Sequence, residues 1–333
     1  MSRPLCLPSI LLLLLLPLSI CVGSVSLPLE SIVAALSGSP TDDATYFIVM
    51  ENRLPQSLTA VLTGATLAVV GLVMQTLFHN PLADPSLLGV GSGASLGAAV
   101  ALLVTGGTLC VSTLSAGPFL LTVAAALCGA GSVIALLMLC CKWLHSELSL
   151  LVTGVMISFA VSALISLLSF YATADGLQQF ILWSFGSFAG VRSNLLALFA
   201  LLTILPLILI LGHSRALDAL LLGNDYAANL GIRVKATRNR LLLLTGLLVA
   251  VVTALCGPIA FIGLAVPHIA RLLTPHGSHR HLLPLTLICG ADIALIALML
   301  THLPGARGII PLAAITPLLG VPVVIYILLK HRA

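Results

Sequence analysis

Four ionisable side chains lie within or beside long apolar runs: His79, Asp84, His268 and Asp292. An acid or imidazole held inside a membrane is a candidate proton relay, because placing a charge there is costly without a function. Asp84 has a second interpretation: it precedes Pro85 and Ser86, where a carboxylate accepts the free amides of a first helical turn. The sequence favours this capping role. Asp292 lies eight residues into an apolar run that contains no basic residue.

A histidine cluster, His276, His279 and His281, falls in the short segment PHGSHRHLLP. A metal site needs neutral imidazoles that converge and are held by further partners, so a solvated loop beside lipid headgroups is favoured here. The eight cysteines show no spacing typical of zinc, and most lie in apolar runs, where cysteine behaves as a small hydrophobe. They are Cys6, Cys21, Cys110, Cys128, Cys140, Cys141, Cys256 and Cys289. No metal or cofactor is predicted.

Gly89, Gly93 and Gly97 recur every four residues and are predicted to share one face of a helix. In lipid, small residues at this spacing let a neighbouring backbone approach closely. A phosphate-binding loop is the alternative, but no GxxxxGK[ST] follows and the segment is apolar. Helix packing is therefore favoured.

The composition shows which elements must position these residues. Of 333 residues, 59% are hydrophobic and 7% are charged, whereas soluble domains carry about 25% charged residues. The composition excludes a water-soluble fold, a disordered chain and a disulfide-rich secreted scaffold, and no basic face indicates nucleic-acid binding. The chain is predicted to be an all-α polytopic membrane protein.

A transmembrane helix needs about 20 apolar residues, and ten runs approach this length. The predicted spans are 5–27, 57–78, 87–107, 117–139, 148–170, 194–212, 241–256, 258–273, 284–301 and 311–329. The start, MSRPLCLPSILLLLLLPLSICVGS, also looks like a cleaved signal peptide; a retained first span is favoured because so many spans follow.

Lysine and arginine set the predicted orientation, because they concentrate on the cytoplasmic side. With both termini in the cytoplasm, eleven of these residues lie inside: Arg3, Lys142, Arg215, Arg233, Lys235, Arg238, Arg240, Arg271, Arg280, Lys330 and Arg332. Only Arg53, Arg192 and Arg307 lie outside.

Two stretches place proline and glycine at the junction of two spans: FHNPLADPSLLGVGSGASLG, residues 78–97, and CGPIAFIGLAVPHIARLL, residues 256–273. In the predicted topology they occupy matching places in two inverted structural halves, which is typical of transporters. Pro-rich connectors between short helices are the alternative.

The longest predicted cytoplasmic connection runs over about 213–240. Its centre, LDALLLGNDYAANLGI, predicts two short helices separated by Gly223 and Asn224, with Asp225 capping the second. Such an elbow would suit a partner protein, while basic flanks would also favour contact with anionic lipid.

Five segments resemble, in order, the FecCD-type permeases of iron-siderophore, haem and cobalamin importers. They are residues 53–99 (RLPQSLTAV to SGASLGAA), WSFGSFAGV at 183–191, LLGNDYAANLGI at 221–232, GPIAFIGLAVPHIARLL at 257–273 and the tail PLAAITPLLGVPVVIYILLK. Any one of these segments would be modest evidence, but five in collinear order are specific.

The resemblance implies a cobalamin-importer-permease-like fold of about ten spans, over residues 1–333, in the bacterial inner membrane. It also implies a homodimer with separate cytoplasmic ABC ATPase subunits and a periplasmic substrate-binding protein. No catalytic residue is expected. The ATPase-coupling elbow would comprise Leu222, Gly223, Asn224, Asp225, Ala227, Leu230 and Gly231. Helix packing or gating would involve Asn80, Pro81, Asp84, Pro85, Gly89, Gly93, Gly97, Gly257, Pro258 and Pro267.

In the family, outer arginines pair with acidic residues on the binding protein, and Arg53 matches the first of them. The next matching position holds Gln56, and the later arginine of span nine falls near Ile296. Arg307 or Arg192 is the candidate for the missing charge, so Arg53 and Arg307 are the predicted docking residues.

The cargo is not encoded in any motif of the chain. Iron chelates are the commoner cargo of the family, so a ferric siderophore or haem is favoured over cobalamin. An ion-coupled secondary transporter is a competing class with inverted halves and broken helices, and Asp292 would then carry the ion. A purely structural membrane subunit is a third alternative with little support.

Overall fold

The computed structural model describes residues 3–39, 42–104, 117–143, 147–274, 277–303 and 308–330. All regular structure in these ranges is helical, which confirms the predicted class. The α-helices are α1 (Arg3–Cys21), α2 (Leu29–Leu36), α3 (Asp43–Tyr46), α4 (Leu54–Leu77), α5 (Val90–Ala99), α6 (Gly117–Trp143), α7 (Glu147–Tyr171), α8 (Ala174–Ser184), α9 (Ser193–Leu211), α10 (Ser214–Leu221), α11 (Asn224–Asn229), α12 (Val234–Cys256), α13 (Ile262–Leu273), α14 (His279–Thr301) and α15 (Leu312–Lys330).

Short segments of other helix types join some of these elements. Phe47–Arg53 and Val100–Val104 are π-helical, and Pro85–Leu88 and Phe188–Gly190 are 3₁₀ turns. Because Phe47–Arg53 links α3 to α4, residues Asp43–Leu77 form one long apolar helix.

Apolar helices in the described ranges overlap the stretches predicted as spans, and the number of membrane crossings stays a prediction. Within the described ranges, six are long enough to cross a membrane: Asp43–Leu77, Phe119–Cys141, Leu148–Tyr171, Ser193–Leu211, Val234–Cys256 and His279–Thr301. Four are shorter: Leu5–Cys21, Val90–Val104, Ile262–Leu273 and Leu312–Tyr326. The chain is therefore a polytopic helical protein.

Some helix boundaries differ from the prediction. Helix α12 begins at Val234 and α14 at His279, several residues before the predicted starts at 241 and 284. Both helices extend into polar sequence because lysine and arginine are good helix formers, whereas the prediction followed apolar runs alone. Conversely, α1 ends at Cys21 instead of residue 27.

The chain forms two compact units. The first comprises Met1–Val69, Ser187–Leu211 and Ala260–Ala333, and the second comprises Val70–Gly186 and Gly212–Ile259. In the first unit, α14 packs against α1, α13 and α15. The backbones of α4 and α14 touch, because a Cβ at Gly64 would overlap the carbonyl oxygen of Gly290, and a Cβ at Gly290 would overlap that of Gly64.

Helix α5 is the centre of the second unit and packs against α6, α7 and α12. A Cβ at Gly93 would lie 2.6 Å from the carbonyl oxygen of Gly129, and one at Gly97 would overlap that of Ala125. The prediction that Gly89 shares a helix face with Gly93 and Gly97 is wrong. Gly89 precedes α5 in a left-handed conformation, φ 73°, and a Cβ there would lie 2.9 Å from the carbonyl oxygen of Gly154 in α7.

Gly97→Ala is expected to destabilise the second unit by about 1–3 kcal/mol, because the new methyl group overpacks a backbone contact that cannot relax. The measurement is the thermal unfolding of the purified protein in detergent. Gly131→Ala is the matched control in α6, since a Cβ there meets nothing within 4 Å. The control should be as stable as the wild type or slightly more stable. Equal stability of the two variants would contradict the close-packing argument.

Candidate functional site

The turn that follows α4 begins with a helix-ending hydrogen-bond pair. The amide of His79 donates to the carbonyl of Thr76 at 3.3 Å, and the amide of Asn80 donates to that of Gln75 at 3.2 Å. This pattern is a Schellman motif, in which the residue at the position of His79 adopts a left-handed conformation and is usually glycine. His79 has φ 45°, so a bulky side chain occupies a position that normally favours glycine.

The rest of this turn is held by short polar side chains. Asn80 Oδ1 accepts from the Leu82 amide at 2.9 Å, and Asp84 Oδ1 accepts from the Ser86 amide at 2.9 Å. The predicted capping role of Asp84 is confirmed, with Pro85 in the first position of the 3₁₀ turn. Burial raises the pKa of the Asp84 carboxyl, and its hydrogen bond from Ser86 opposes this shift.

The second break separates α12 from α13. Gly257 has φ 75°, and a Cβ there would lie 2.7 Å from the carbonyl oxygen of Trp183. The Pro258 carbonyl lies against Gly186, where an added Cβ would be 3.1 Å away. Pro267 lies inside α13, where it removes one backbone hydrogen bond. The close approach requires glycine at 257 for both its conformation and its size.

The predicted elbow consists of α10 and α11. Leu217, Leu220 and Ala227 are fully or almost fully buried and anchor it. Leu222, Tyr226 and Leu230, spaced four residues apart, are 66%, 49% and 59% exposed. The elbow therefore exposes three large apolar side chains, Leu222 just before the bend at Gly223 and Tyr226 and Leu230 after it, which together we call the elbow ridge. Ala227, one of the predicted elbow residues, belongs to the anchor instead of the ridge.

Two glycines set the bends of the elbow. Gly223 has φ 114° and Gly231 has φ 82°, and a Cβ at either would meet nothing within 4 Å. Conformation, not space, is what favours glycine here. Helix α11 starts at Asn224 with Gly223 as its N-cap. The prediction that Asp225 caps this helix was wrong: Asp225 lies in the first turn, where its charge still favours the helix dipole.

A side chain of the α4 turn contacts the elbow directly. His79 Nε2 lies 2.8 Å from the carbonyl oxygen of Leu220 in α10. Sequence reasoning placed His79 in this turn but missed the contact, because no local pattern links residues that are 141 positions apart.

Arg53 is the last residue of the π-helical segment Phe47–Arg53 and is 6% exposed. Its side chain reaches the C-terminal end of α1. Its guanidinium donates to the carbonyls of Ile20 at 2.9 Å, Cys21 at 3.0 Å and, through a short bond, Val25. Its docking role stays a prediction, and in this conformation its donors are used within the chain. Arg307, the other predicted docking residue, lies outside the described residues. Arg192, the alternative to Arg307, is exposed on the connection before α9.

Asp292 is 3% exposed in α14, and its Oδ1 has no hydrogen-bond partner. Within the described part of the chain, no group of three histidine, cysteine or acidic residues could hold a metal ion. His276 of the predicted loop lies outside the described residues, while His279 and His281 lie in the first turn of α14.

Over nearly its whole length the chain matches one protein family and several of that family's members. The profile of the FecCD transport family matches residues 11–330. The vitamin B12 import system permease protein BtuC of Escherichia coli O9:H4 (strain HS) is 38% identical over 97% of this chain and 94% of that protein. The hemin transport system permease protein HmuU of Yersinia pestis is 35% identical over 96% of this chain and 95% of its own.

A solved structure has the same fold over its whole length. It is an inward-facing conformation of a metal-chelate type ABC transporter, with a TM-score of 0.85, 28% sequence identity and complete coverage of both chains. With the family match over nearly all residues, this likeness leads to one conclusion: the chain belongs to the FecCD transport family of ABC importer permeases.

Proposed function

We propose that this permease works as a homodimer that imports a metal chelate, driven by two separate ABC ATPase subunits and supplied by a periplasmic binding protein. The observation that carries the proposal is the elbow ridge of Leu222, Tyr226 and Leu230. Three exposed apolar side chains around one bend, held by a buried anchor, would form a docking surface. Tyrosine is one of the residues enriched at the energetic centres of protein interfaces, and the two leucines add apolar area around it.

The proposed orientation places both termini and the elbow in the cytoplasm of a bacterial cell, where ATP is available. The distribution of lysine and arginine supports it, since α10–α12 include Arg215, Lys235, Arg238 and Arg240. Contact of the elbow with the ATPase would move α10 and α11, and the turn after α4 would follow.

The cargo we favour is an iron chelate, with haem as the leading candidate and cobalamin as the alternative. The preference rests on iron chelates being the commoner cargo of the family, since the relatives support both compounds: one named for vitamin B12 is 38% identical and one named for hemin is 35% identical. The ion-coupled alternative has less support, because the family to which the chain belongs is that of ABC permeases.

Leu222→Arg combined with Tyr226→Arg should weaken co-purification with the partner ATPase at least about tenfold, because two central apolar contacts are replaced by desolvated charges. The measurement is the amount of ATPase retained per permease in detergent. These positions are better choices than Gly223, where any side chain would also strain the backbone.

The control is Ser37→Arg combined with Ser39→Arg, which adds the same charge to an exposed turn after α2. The control should retain the ATPase fully. The elbow assignment is wrong if both double variants retain it equally, and the importer proposal fails if the wild type retains none.

The cargo can be identified by uptake. Co-expressed with its binding protein and ATPase in a host that lacks its own haem and cobalamin importers, the chain should accumulate hemin and not cyanocobalamin. The comparison of the two compounds in the same cells measures this directly. Accumulation of cyanocobalamin alone would reverse the assignment, and accumulation of neither would favour a ferric siderophore.

Docking of the binding protein is expected to depend on Arg307, whose positive charge would meet an acidic residue of the partner. Arg307→Glu should lower the affinity about tenfold at low salt and less at high salt, because exposed charge pairs are screened. Arg192→Glu is the matched variant for the alternative position. Unchanged affinity for Arg307→Glu at low salt would exclude the assignment.

A further inference from the structure

The contact between His79 and the elbow joins two segments that the proposed mechanism must couple. His79 Nε2 and the Leu220 carbonyl oxygen are 2.8 Å apart. A carbonyl can only accept, so Nε2 carries the hydrogen and donates it. The same carbonyl accepts the Gly223 amide at 3.0 Å. The imidazole therefore binds the last turn of α10, immediately before the bend that leads to the elbow ridge.

The conformation of His79 is an independent observation. With φ 45° it occupies a left-handed position, where an L-residue is strained and glycine is not. Strained residues persist where the surrounding structure holds them, and they concentrate at functional sites. Glycine would adopt the left-handed conformation of the Schellman motif with less backbone strain. The backbone therefore does not explain a histidine at this position, and its side-chain contact does.

The turn that carries His79 also carries Asn80 and Pro81, two of the predicted gating residues. Hydrogen bonds within the turn hold its shape. The side-chain oxygen of Asn80 accepts from the Leu82 amide, and the backbone carbonyl of Asn80 accepts from the Ala83 amide at 3.0 Å. A displacement of α10 would move this turn through the hydrogen bond between the His79 imidazole and the Leu220 carbonyl. The bond thus offers a direct route from the ATPase-facing surface to the end of α4.

We propose that His79 is a positioning residue that ties α10 of the coupling elbow to the turn after α4 and passes elbow movement to that turn. The proposal rests on the proposed function for its use of the ATPase, but the tie itself is a property of the permease alone. The two can therefore fail separately.

Three substitutions separate the hydrogen bond from the fold. His79→Gln keeps an amide donor close to the position of Nε2. His79→Gly removes the side chain and suits the left-handed backbone, so that folding is not endangered. His79→Leu removes the donor and keeps bulk. His281→Leu is the control, since it removes an exposed histidine in the first turn of α14.

Hydrogen exchange of the purified permease in detergent tests the tie without any partner. Amides of α10 and α11 should exchange about fivefold faster in His79→Gly and His79→Leu, as expected for loss of one hydrogen bond. His79→Gln and His281→Leu should exchange as the wild type does. A merely structural role predicts that exchange follows the melting temperature, whereas here His79→Gly should melt no lower than the wild type and still loosen the elbow.

The assembled transporter tests the mechanical role, with hemin and cyanocobalamin as the transported probes. His79→Gly should bind the ATPase normally and hydrolyse ATP, but transport several-fold less cargo per ATP, and His79→Gln should restore the ratio. Unchanged exchange in all variants would overturn the tie. Changed exchange with an unchanged transport ratio would overturn the mechanical role. If the wild type binds no ATPase, the proposed function fails while the exchange result still decides the tie.

Discussion

Backbone contact between helices at glycine positions is the interaction on which both units depend. Lipid gives apolar helices no hydrophobic reason to associate, so van der Waals contact at small residues must hold them. Gly64 and Gly290 bring α4 against α14 in the first unit, while Gly93 and Gly97 bring α5 against α6 in the second. Because these contacts involve carbonyl oxygens that cannot move aside, they fix the helix positions more tightly than side-chain packing would.

The same environment explains the form of the two breaks. Backbone groups that leave a helix near a membrane need new partners within the protein. After α4, the Ala83 and Leu87 amides donate to the carbonyls of Asn80 and Asp84 at 3.0 Å each. At the second break, the Gly257 amide donates to Thr253 at 2.9 Å. Each break therefore has a defined hydrogen-bonded conformation. Glycine and proline occur there in the sequence because they favour the backbone conformations that the breaks require.

The sequence predicted the helical class, the approximate positions of the apolar helices and the capping role of Asp84, because apolar length and proline or glycine punctuation are local signals. It misplaced the start of α12, since Lys235 and Arg238 interrupt hydrophobicity without interrupting a helix. It also placed Gly89 on the face of Gly93 and Gly97, because spacing reveals periodicity but not where a helix begins. The contacts of Arg53 with α1 and of His79 with α10 involve distant residues, and no pattern along the chain encodes them.

The polar side chains at the helix ends have a common use that bears on the mechanism. Arg53 donates to the last carbonyls of α1, Asp84 accepts a first-turn amide, and His79 donates to the last turn of α10. Each binds a backbone group at a helix end, where the helix itself leaves hydrogen-bonding capacity unused. None of the three is arranged as a ligand for a cargo, whereas Asp292 is buried with a free oxygen and stands apart from this pattern. Polar groups that hold helix ends in this way limit local deformation, so in the proposed mechanism a movement imposed at the elbow ridge would be passed on by the helices as rigid elements.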